Sequence, residues 1–119
     1  MRSLICMIAY MLVAGCVGSQ CGNEVLSEAA SPDIKYVATV FERNCGATAP
    51  YARVVSIRPV GSEFDGNDMG EYVFTMQGQH DVTVQWTTAN RLVIRRPAIT
   101  GDIFKEVHNW KDVEVVTEP

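Results

Sequence analysis

Apolar and polar residues alternate with a period of two along most of the chain beyond residue 23. In the clearest segment, 71–77, Tyr72, Phe74 and Met76 fall on one face and mostly polar residues fall on the other. Residues two apart line the same face of a strand, so this alternation indicates half-buried β-strands. Turn-forming residues interrupt the alternation about every 8–12 positions, and no stretch shows the period of an amphipathic helix.

The same reasoning predicts further strands. Segment 35–43 is apolar on both faces, which is typical of a central strand, and segment 52–60 is expected to be its neighbour. Segment 91–96 ends at Pro97, because proline cannot donate a hydrogen bond to a sheet. Segment 24–29 is a candidate first strand.

Two pairs of segments are predicted to form hairpins, one joined by the loop 77–80 and the other by the turn 109–111. The predicted partners are 71–77 with 81–88, and 103–107 with 112–117. A half-buried sheet must cover its apolar face. We therefore expect an all-β fold, in which an antiparallel meander of six to seven short strands forms a small sandwich or an open barrel.

The first sixteen residues have the pattern of a bacterial export signal that ends at a lipid-carrying cysteine. Arg2 precedes an apolar run of ten residues from Leu4 to Val13, and small residues stand directly before Cys16. A membrane-spanning helix needs about 20 apolar residues, which this run does not reach. The pattern resembles a lipobox, which implies cleavage before Cys16 and attachment of a diacylglyceryl group and a further acyl chain such as palmitate. A plain secretory signal and an uncleaved anchor are the alternatives.

This interpretation gives a signal peptide at 1–15, a lipidated cysteine and tether at 16–23, and a single β-domain at 24–119. Two or three acyl chains hold a protein stably at a membrane surface, so we expect membrane contact through the lipid on Cys16. Val17 stands where an aspartate would signal inner-membrane retention. This favours the outer membrane, with the domain facing the periplasm.

The chain is acidic. It has ten Lys and Arg against fourteen Asp and Glu, and loss of Arg2 with the signal changes the net charge from −4 to −5. Such a domain lacks the basic surface that binds nucleic acid or anionic lipid, so no nucleic-acid partner is expected. Arg91, Arg95 and Arg96 form a local basic cluster, which we interpret as the solvated face of one strand.

The chain has four cysteines, of which Cys6 leaves with the signal and Cys16 is assigned to lipid. Cys21 and Cys45 remain, and in an oxidising compartment they are predicted to form a disulfide. Closing their separation of 24 residues would contribute roughly 3–4 kcal/mol in the loop-entropy description. A free reactive thiol or a metal ligand is the alternative, but no Cys-x-x-Cys or Cys/His spacing accompanies them.

The loop 65–71 has the densest group of oxygen ligands. Asp65 and Asn67 occupy alternate positions around a glycine, as in a calcium loop, and Asp68 adds a carboxylate. Met76 stands where a bidentate glutamate would close such a loop, and the same residues suit an ordinary long turn. Asp65, Asn67 and Asp68 are therefore a weak candidate metal site, and no cofactor is expected.

No recognisable catalytic arrangement is present in the sequence. His80 and His108 lie in different predicted hairpins, and Ser56 and Ser62 stand outside a G-x-S-x-G turn. Nucleophilic catalysis needs a nucleophile within hydrogen-bond reach of a base that a third group orients. We therefore expect that this protein is not an enzyme.

The stretch 44–51 consists of small, uncharged residues between two strongly predicted strands and contains Cys45. Rigid loops on sheet scaffolds often carry binding. Thr48 and Tyr51 offer hydroxyl groups in this loop and are the candidate binding residues. A purely structural connection between neighbouring strands is the alternative.

Three short motifs follow one another in the first part of the domain: C-x-x-E at 21–24, S-P-D-x-K at 31–35 and C-G-A-T at 45–48. In this order they resemble a family of short, uncharacterised bacterial envelope lipoproteins. This chain has Ile34 where the family usually has glycine, and Ala49 where threonine is usual. The resemblance implies an envelope location and brings no known activity.

The expected function is therefore that of a membrane-tethered envelope lipoprotein, a non-catalytic module that binds another envelope protein. The alternative is an inhibitor or immunity protein that blocks a lytic enzyme with a loop. The chain has no S-G-x-x-Y loop of the lysozyme-inhibitor kind.

Overall fold

The computed structural model describes residues 21–119, so the predicted signal peptide and Cys16 lie outside the described residues. Within this range the chain forms β-sheets and no α-helix, which confirms the predicted all-β class. No helix of residues 21–119 is long and apolar enough to cross a membrane. The strands are β1 Gly22–Ala30, β2 Tyr36–Asn44, β3 Ala52–Pro59, β4 Tyr72–Gln77, β5 Thr83–Thr88, β6 Arg91–Arg95, β7 Ile103–Glu106, β8 Asn109–Trp110 and β9 Val113–Glu118, with a 3₁₀ turn at Met69–Glu71.

The strands form two sheets that pack against each other. The large sheet has the order β1-β2-β3-β4-β7, and the small sheet has the order β5-β6-β9-β8. Both sheets bury residues in one main apolar cluster, which gives the layered sandwich that the sequence predicts. The fully buried side chains of this cluster include Val40, Ile57, Phe74 and Met76 from the large sheet, and Leu92, Ile94, Val113 and Val115 from the small sheet.

Strand β2 is buried on both faces, as its apolar pattern predicts. Ala38 and Val40 contribute to the main cluster on one face. On the other face Phe41 belongs to a second cluster with Val54, and Phe64 from the following loop packs against that cluster. The Phe41 and Phe64 rings meet edge to face with centroids 5.0 Å apart. The long loop after β3 thus covers the outer face of the large sheet.

A β-bulge interrupts the pairing of β3 with β4. Val55 lies opposite Phe74 whereas Ser56 lies opposite Tyr72, which leaves Val73 as an extra residue. Phe74 and Val73 therefore belong to the main cluster, and Tyr72 belongs to the second cluster on the opposite face. The prediction that Tyr72 shares a face with Phe74 is wrong, because a strict period of two does not hold across a bulge.

Both predicted hairpins of the second half are also wrong. Strands β4 and β5 lie in different sheets, and the free edge of β4 pairs with β7 instead. The chain leaves β4 at Gly78, which has a φ of 101° and donates its backbone N–H to the carbonyl of Tyr51. The last hairpin joins β8 to β9, with Lys111 at a φ of 52° in its turn. Alternation gives each strand its buried face but does not identify its neighbour.

Strands β6 and β9 are parallel, so the small sheet is not the continuous meander that the sequence suggests. Arg91 and Arg95 of β6 form ion pairs with Glu114 and Glu118 of β9, at 3.2 and 3.1 Å. All four side chains are largely solvated, so each pair adds little stability. These pairs are consistent with the solvated face expected for Arg91 and Arg95. The expectation is wrong for Arg96, which follows the strand and is partly buried.

Candidate functional site

The disulfide between Cys21 and Cys45 is present, which confirms the predicted pairing. It lies directly beyond the paired ends of β1 and β2, where Gly22 stands opposite Asn44. The crosslink therefore joins the point at which the chain enters the domain to the start of the loop that precedes β3. We call Cys21, Cys45 and the loop 45–51 the disulfide end of the domain.

The loop of the disulfide end is held by backbone hydrogen bonds at both ends. Ala49 donates to the carbonyl of Gly46 at 3.2 Å, and Gly46 has a φ of 115° that favours glycine. The carbonyl of Tyr51 accepts from Gly78 at 2.6 Å. Thr48 is exposed at the tip, and the side chain of Tyr51 is 38% exposed. The two predicted binding residues thus share one fixed loop.

A shallow cleft of about 260 Å³ lies beside Tyr51. Asn23 and Glu24 of β1 and Glu42 and Asn44 of β2 also line it. The sequence identified Tyr51 alone, because the other side chains reach the cleft only through the pairing of β1 with β2. The exposed ring of Tyr51 lies beside amide and carboxylate groups. A partner with a polar surface could bury this ring and hydrogen-bond to those groups.

The candidate calcium residues form turn contacts. Asp65 accepts a hydrogen bond from the backbone of Asn67 at 2.9 Å, and Asp68 accepts one from Gly70 at 3.0 Å. Such contacts are typical of Asp at the start of a turn. Among residues 21–119 no group of three or more His, Cys, Asp and Glu side chains is placed to hold a metal ion.

Arg43 places a fixed cation beside the same loop. Its Nη1 donates to Asn23 Oδ1 and the carbonyl of Gly66, each at 2.9 Å, and to Asn67 Oδ1 at 3.0 Å. The guanidinium thus lies against the amide oxygen that the sequence offers as a calcium ligand. It also joins β1 to the 65–71 loop. The sequence analysis missed this role of Arg43, since its three partners come from two distant segments.

His80 contacts a residue that the sequence analysis did not foresee. Its Nε2 lies 3.0 Å from Asp102 Oδ2, and its carbonyl accepts from Arg53 Nη1 at 2.7 Å. Asp102 directly precedes β7, and the pairing of β7 with β4 brings it to this position. No serine or cysteine of residues 21–119 hydrogen-bonds to the His80 ring. His108 lies elsewhere, exposed between β7 and β8.

Three carboxyl groups have shifted pKa values: the hydrogen bond from Ser31 lowers the pKa of Asp33, and the pKa values of Glu71 and Asp112 shift in opposite directions. Burial raises the pKa of Glu71, and the negative charge of Asp68 raises it further. Glu71 Oε1 is buried and has no hydrogen-bond partner within the described part of the chain. By contrast, the Tyr36 hydroxyl donates to Asp112 and, with the ammonium of Lys35, lowers the pKa of that carboxyl. This second contact ties the turn before β9 to the start of β2.

Comparison of the chain with protein-family models, with curated proteins and with solved structures finds no match. The resemblance to short envelope lipoproteins, carried by the three motifs between residues 21 and 48, therefore stays a prediction.

Proposed function

We propose that this protein is a lipid-anchored bacterial envelope protein whose β-domain binds another envelope protein through the disulfide end, without catalysing a reaction. The observation that carries the proposal is the Cys21–Cys45 disulfide. Disulfides persist in oxidising compartments such as the bacterial periplasm. This supports the interpretation of residues 1–15 as an export signal.

The position of Cys21 also supports a role for the disulfide end near a membrane. Cys21 follows Cys16, the candidate lipid carrier, by five residues. A chain of that length spans at most roughly 18 Å when fully extended. Lipid on Cys16 would hold the disulfide end beside the membrane surface, so Thr48 and Tyr51 would meet a partner that lies in or next to the same membrane.

Anchoring is tested by comparing the wild-type protein with Cys16→Ser in membrane fractionation and intact-mass measurement. We expect the wild-type protein to carry acyl mass and to sediment with membranes, and Cys16→Ser to lose both properties. Cys6→Ser is the matched control, because Cys6 leaves with the signal and its replacement is expected to change neither. A wild-type chain that begins at Met1, or a Cys16→Ser protein that stays in the membrane fraction, would refute the anchor.

Binding is tested by in-cell crosslinking followed by affinity purification. We expect one envelope protein to be captured by the wild-type chain, and its yield to fall at least about fivefold for Tyr51→Ala or Thr48→Ala (about 1 kcal/mol at a contact residue). Met69→Ala, at an exposed side chain of the 65–71 loop, is the control and should leave the yield unchanged. Equal capture by all variants would exclude the disulfide end as the contact. Capture of a lytic enzyme that the purified protein inhibits would favour the inhibitor function instead.

A further inference from the structure

A second cleft, of about 400 Å³, lies beside residues 114–117 of β9. Arg96, directly after β6, and Glu106, the last residue of β7, line it. His108 and Asn109 follow from the bend into β8, and Thr117 of β9 completes this part of the wall. Pockets that hold small ligands have volumes of roughly 300–1,000 Å³, so this cleft is large enough for a small molecule.

Arg96, which directly follows β6, differs from the two arginines of that strand. Arg91 and Arg95 each pair with a glutamate of β9, whereas Arg96 has no carboxylate partner within residues 21–119. Its Nη1 donates to the carbonyl of Pro97 at 3.0 Å. Its Nε is buried without a hydrogen-bond partner, and the same holds for the hydroxyl oxygen of Thr117. Unsatisfied buried polar atoms are costly, and two residues that line the cleft each carry one.

Glu106 supplies the opposite charge. It is exposed and forms no ion pair in the described part of the chain. Arg96 and Glu106 line the same cleft but lie beyond ion-pair distance of each other. Glu114 also lines the cleft, but it already pairs with Arg91 at 3.2 Å. The cleft therefore presents one cation, Arg96, and one carboxylate without an ion-pair partner among residues 21–119, Glu106.

We propose that this cleft binds a small zwitterion, an amino acid or a short peptide with both termini unblocked. The ligand's carboxylate would contact the guanidinium of Arg96, which binds carboxylates in a planar, two-point geometry. Its ammonium group would contact Glu106, and a peptide bond between the two would lie against the polar side chains of His108 and Asn109. This site is separate from the disulfide end, so either proposal can fail without the other.

The test uses the purified mature protein in detergent and three dipeptide probes in calorimetric titrations. Alanyl-alanine carries both charges, N-acetyl-alanyl-alanine lacks the ammonium group, and alanyl-alanine amide lacks the carboxylate. We expect alanyl-alanine to bind at least about tenfold more tightly than either blocked peptide, because each loses one charge-assisted contact. This comparison needs no mutation and is independent of folding defects.

Variants then assign the two charges. Arg96→Gln is expected to weaken alanyl-alanine binding about tenfold and to abolish its advantage over the amide, and Glu106→Gln to abolish its advantage over the acetylated peptide. Arg95→Gln, at the neighbouring residue but outside the cleft, should change neither. Absence of alanyl-alanine binding at millimolar concentration, equal binding of the three peptides, or equal effects of Arg95→Gln and Arg96→Gln would overturn the proposal.

Discussion

Ile34 occupies a backbone conformation that suits glycine. Its φ is 56°, in the left-handed region, within the turn that joins β1 to β2. A side chain in this region costs about 1–2 kcal/mol. Ser31, which is only 1% exposed, holds the turn: its hydroxyl accepts from the backbone of Lys35 and Tyr36, and its carbonyl accepts from Ile34. These contacts force Ile34 into the strained conformation.

Ile34→Gly is expected to raise the free energy of unfolding by about 1 kcal/mol, because it removes the steric strain while the hydrogen bonds of Ser31 remain. Urea denaturation measures the change. Ile99→Gly is the matched control, since Ile99 is similarly exposed and has an ordinary negative φ. That substitution should not stabilise the protein, and equal effects at the two positions would contradict strain at Ile34.

Glu71→Gln is expected to raise the melting temperature at pH 7. Burial raises the folded-state pKa of Glu71 above its ordinary value of 4.5, so the neutral form favours folding. Protonated Glu71 therefore adds to the free energy of unfolding at pH values below its unfolded-state pKa, and this stabilisation is lost as pH rises through its folded-state pKa. The advantage of the glutamine variant should therefore vanish near pH 3.5, about one unit below the ordinary pKa. Glu63→Gln, at an exposed position of the same loop, should show no such pH dependence.

At the scale of elements, the disulfide secures an edge strand. Strand β1 pairs on one side only, with β2, and its register shifts at Leu26. Val25 and Leu26 are more than 40% exposed, so little apolar burial holds this strand. The crosslink and the contacts of Arg43 with Asn23 fasten its first residues.

The double variant Cys21→Ser, Cys45→Ser is expected to lose roughly 3–4 kcal/mol of stability, since the loop of 24 residues is no longer closed in the unfolded state. Chemical denaturation gives the value. Reduction with dithiothreitol is expected to lower the stability of the wild-type protein by a similar amount and to leave the double variant unchanged. A double variant as stable as the oxidised wild-type protein would contradict the assigned role.

The sequence predicts the strands better than it predicts their partners. The segments 35–43, 52–60 and 91–96 match β2, β3 and β6, because alternation follows directly from the geometry of one strand. The pairings of β7 with β4 and of β9 with β6 depend on contacts across many residues and were not foreseen. Tyr51 could be predicted as a candidate from its loop alone, whereas the contacts of Arg43 and the cleft beside Arg96 depend on neighbours that are distant in sequence.

At the scale of the whole molecule, the large sheet has two dissimilar ends. The disulfide end lies at the last residues of β2, and Val60 lies at the opposite end, where its backbone bonds to Lys35. Strand β2 has nine residues, so these ends are separated by roughly 26 Å. If lipid on Cys16 anchors the chain, the two ends lie at different heights above the membrane.

A photo-crosslinking amino acid at position 48 is expected to label lipid or membrane-embedded protein several-fold more than the same group at position 60. Both positions are exposed, so accessibility does not account for the difference. Mass spectrometry of crosslinks formed in intact cells provides the measurement, and Cys16→Ser should remove the difference. Equal labelling at both positions in the anchored protein would show that the disulfide end does not face the membrane.

The location of β9 determines when the small sheet can form. This strand contains nearly the last residues of the chain, yet it lies between β6 and β8 in its sheet. A hairpin of β5 and β6 is local and can assemble early, but the remaining pairs of the small sheet need β9, and the long-range pairing of β9 with β6 is slow. Until β9 is in place, Leu92 and Ile94 lack the neighbouring strand beside which they are buried, so an incompletely folded domain exposes these apolar side chains and is prone to aggregation.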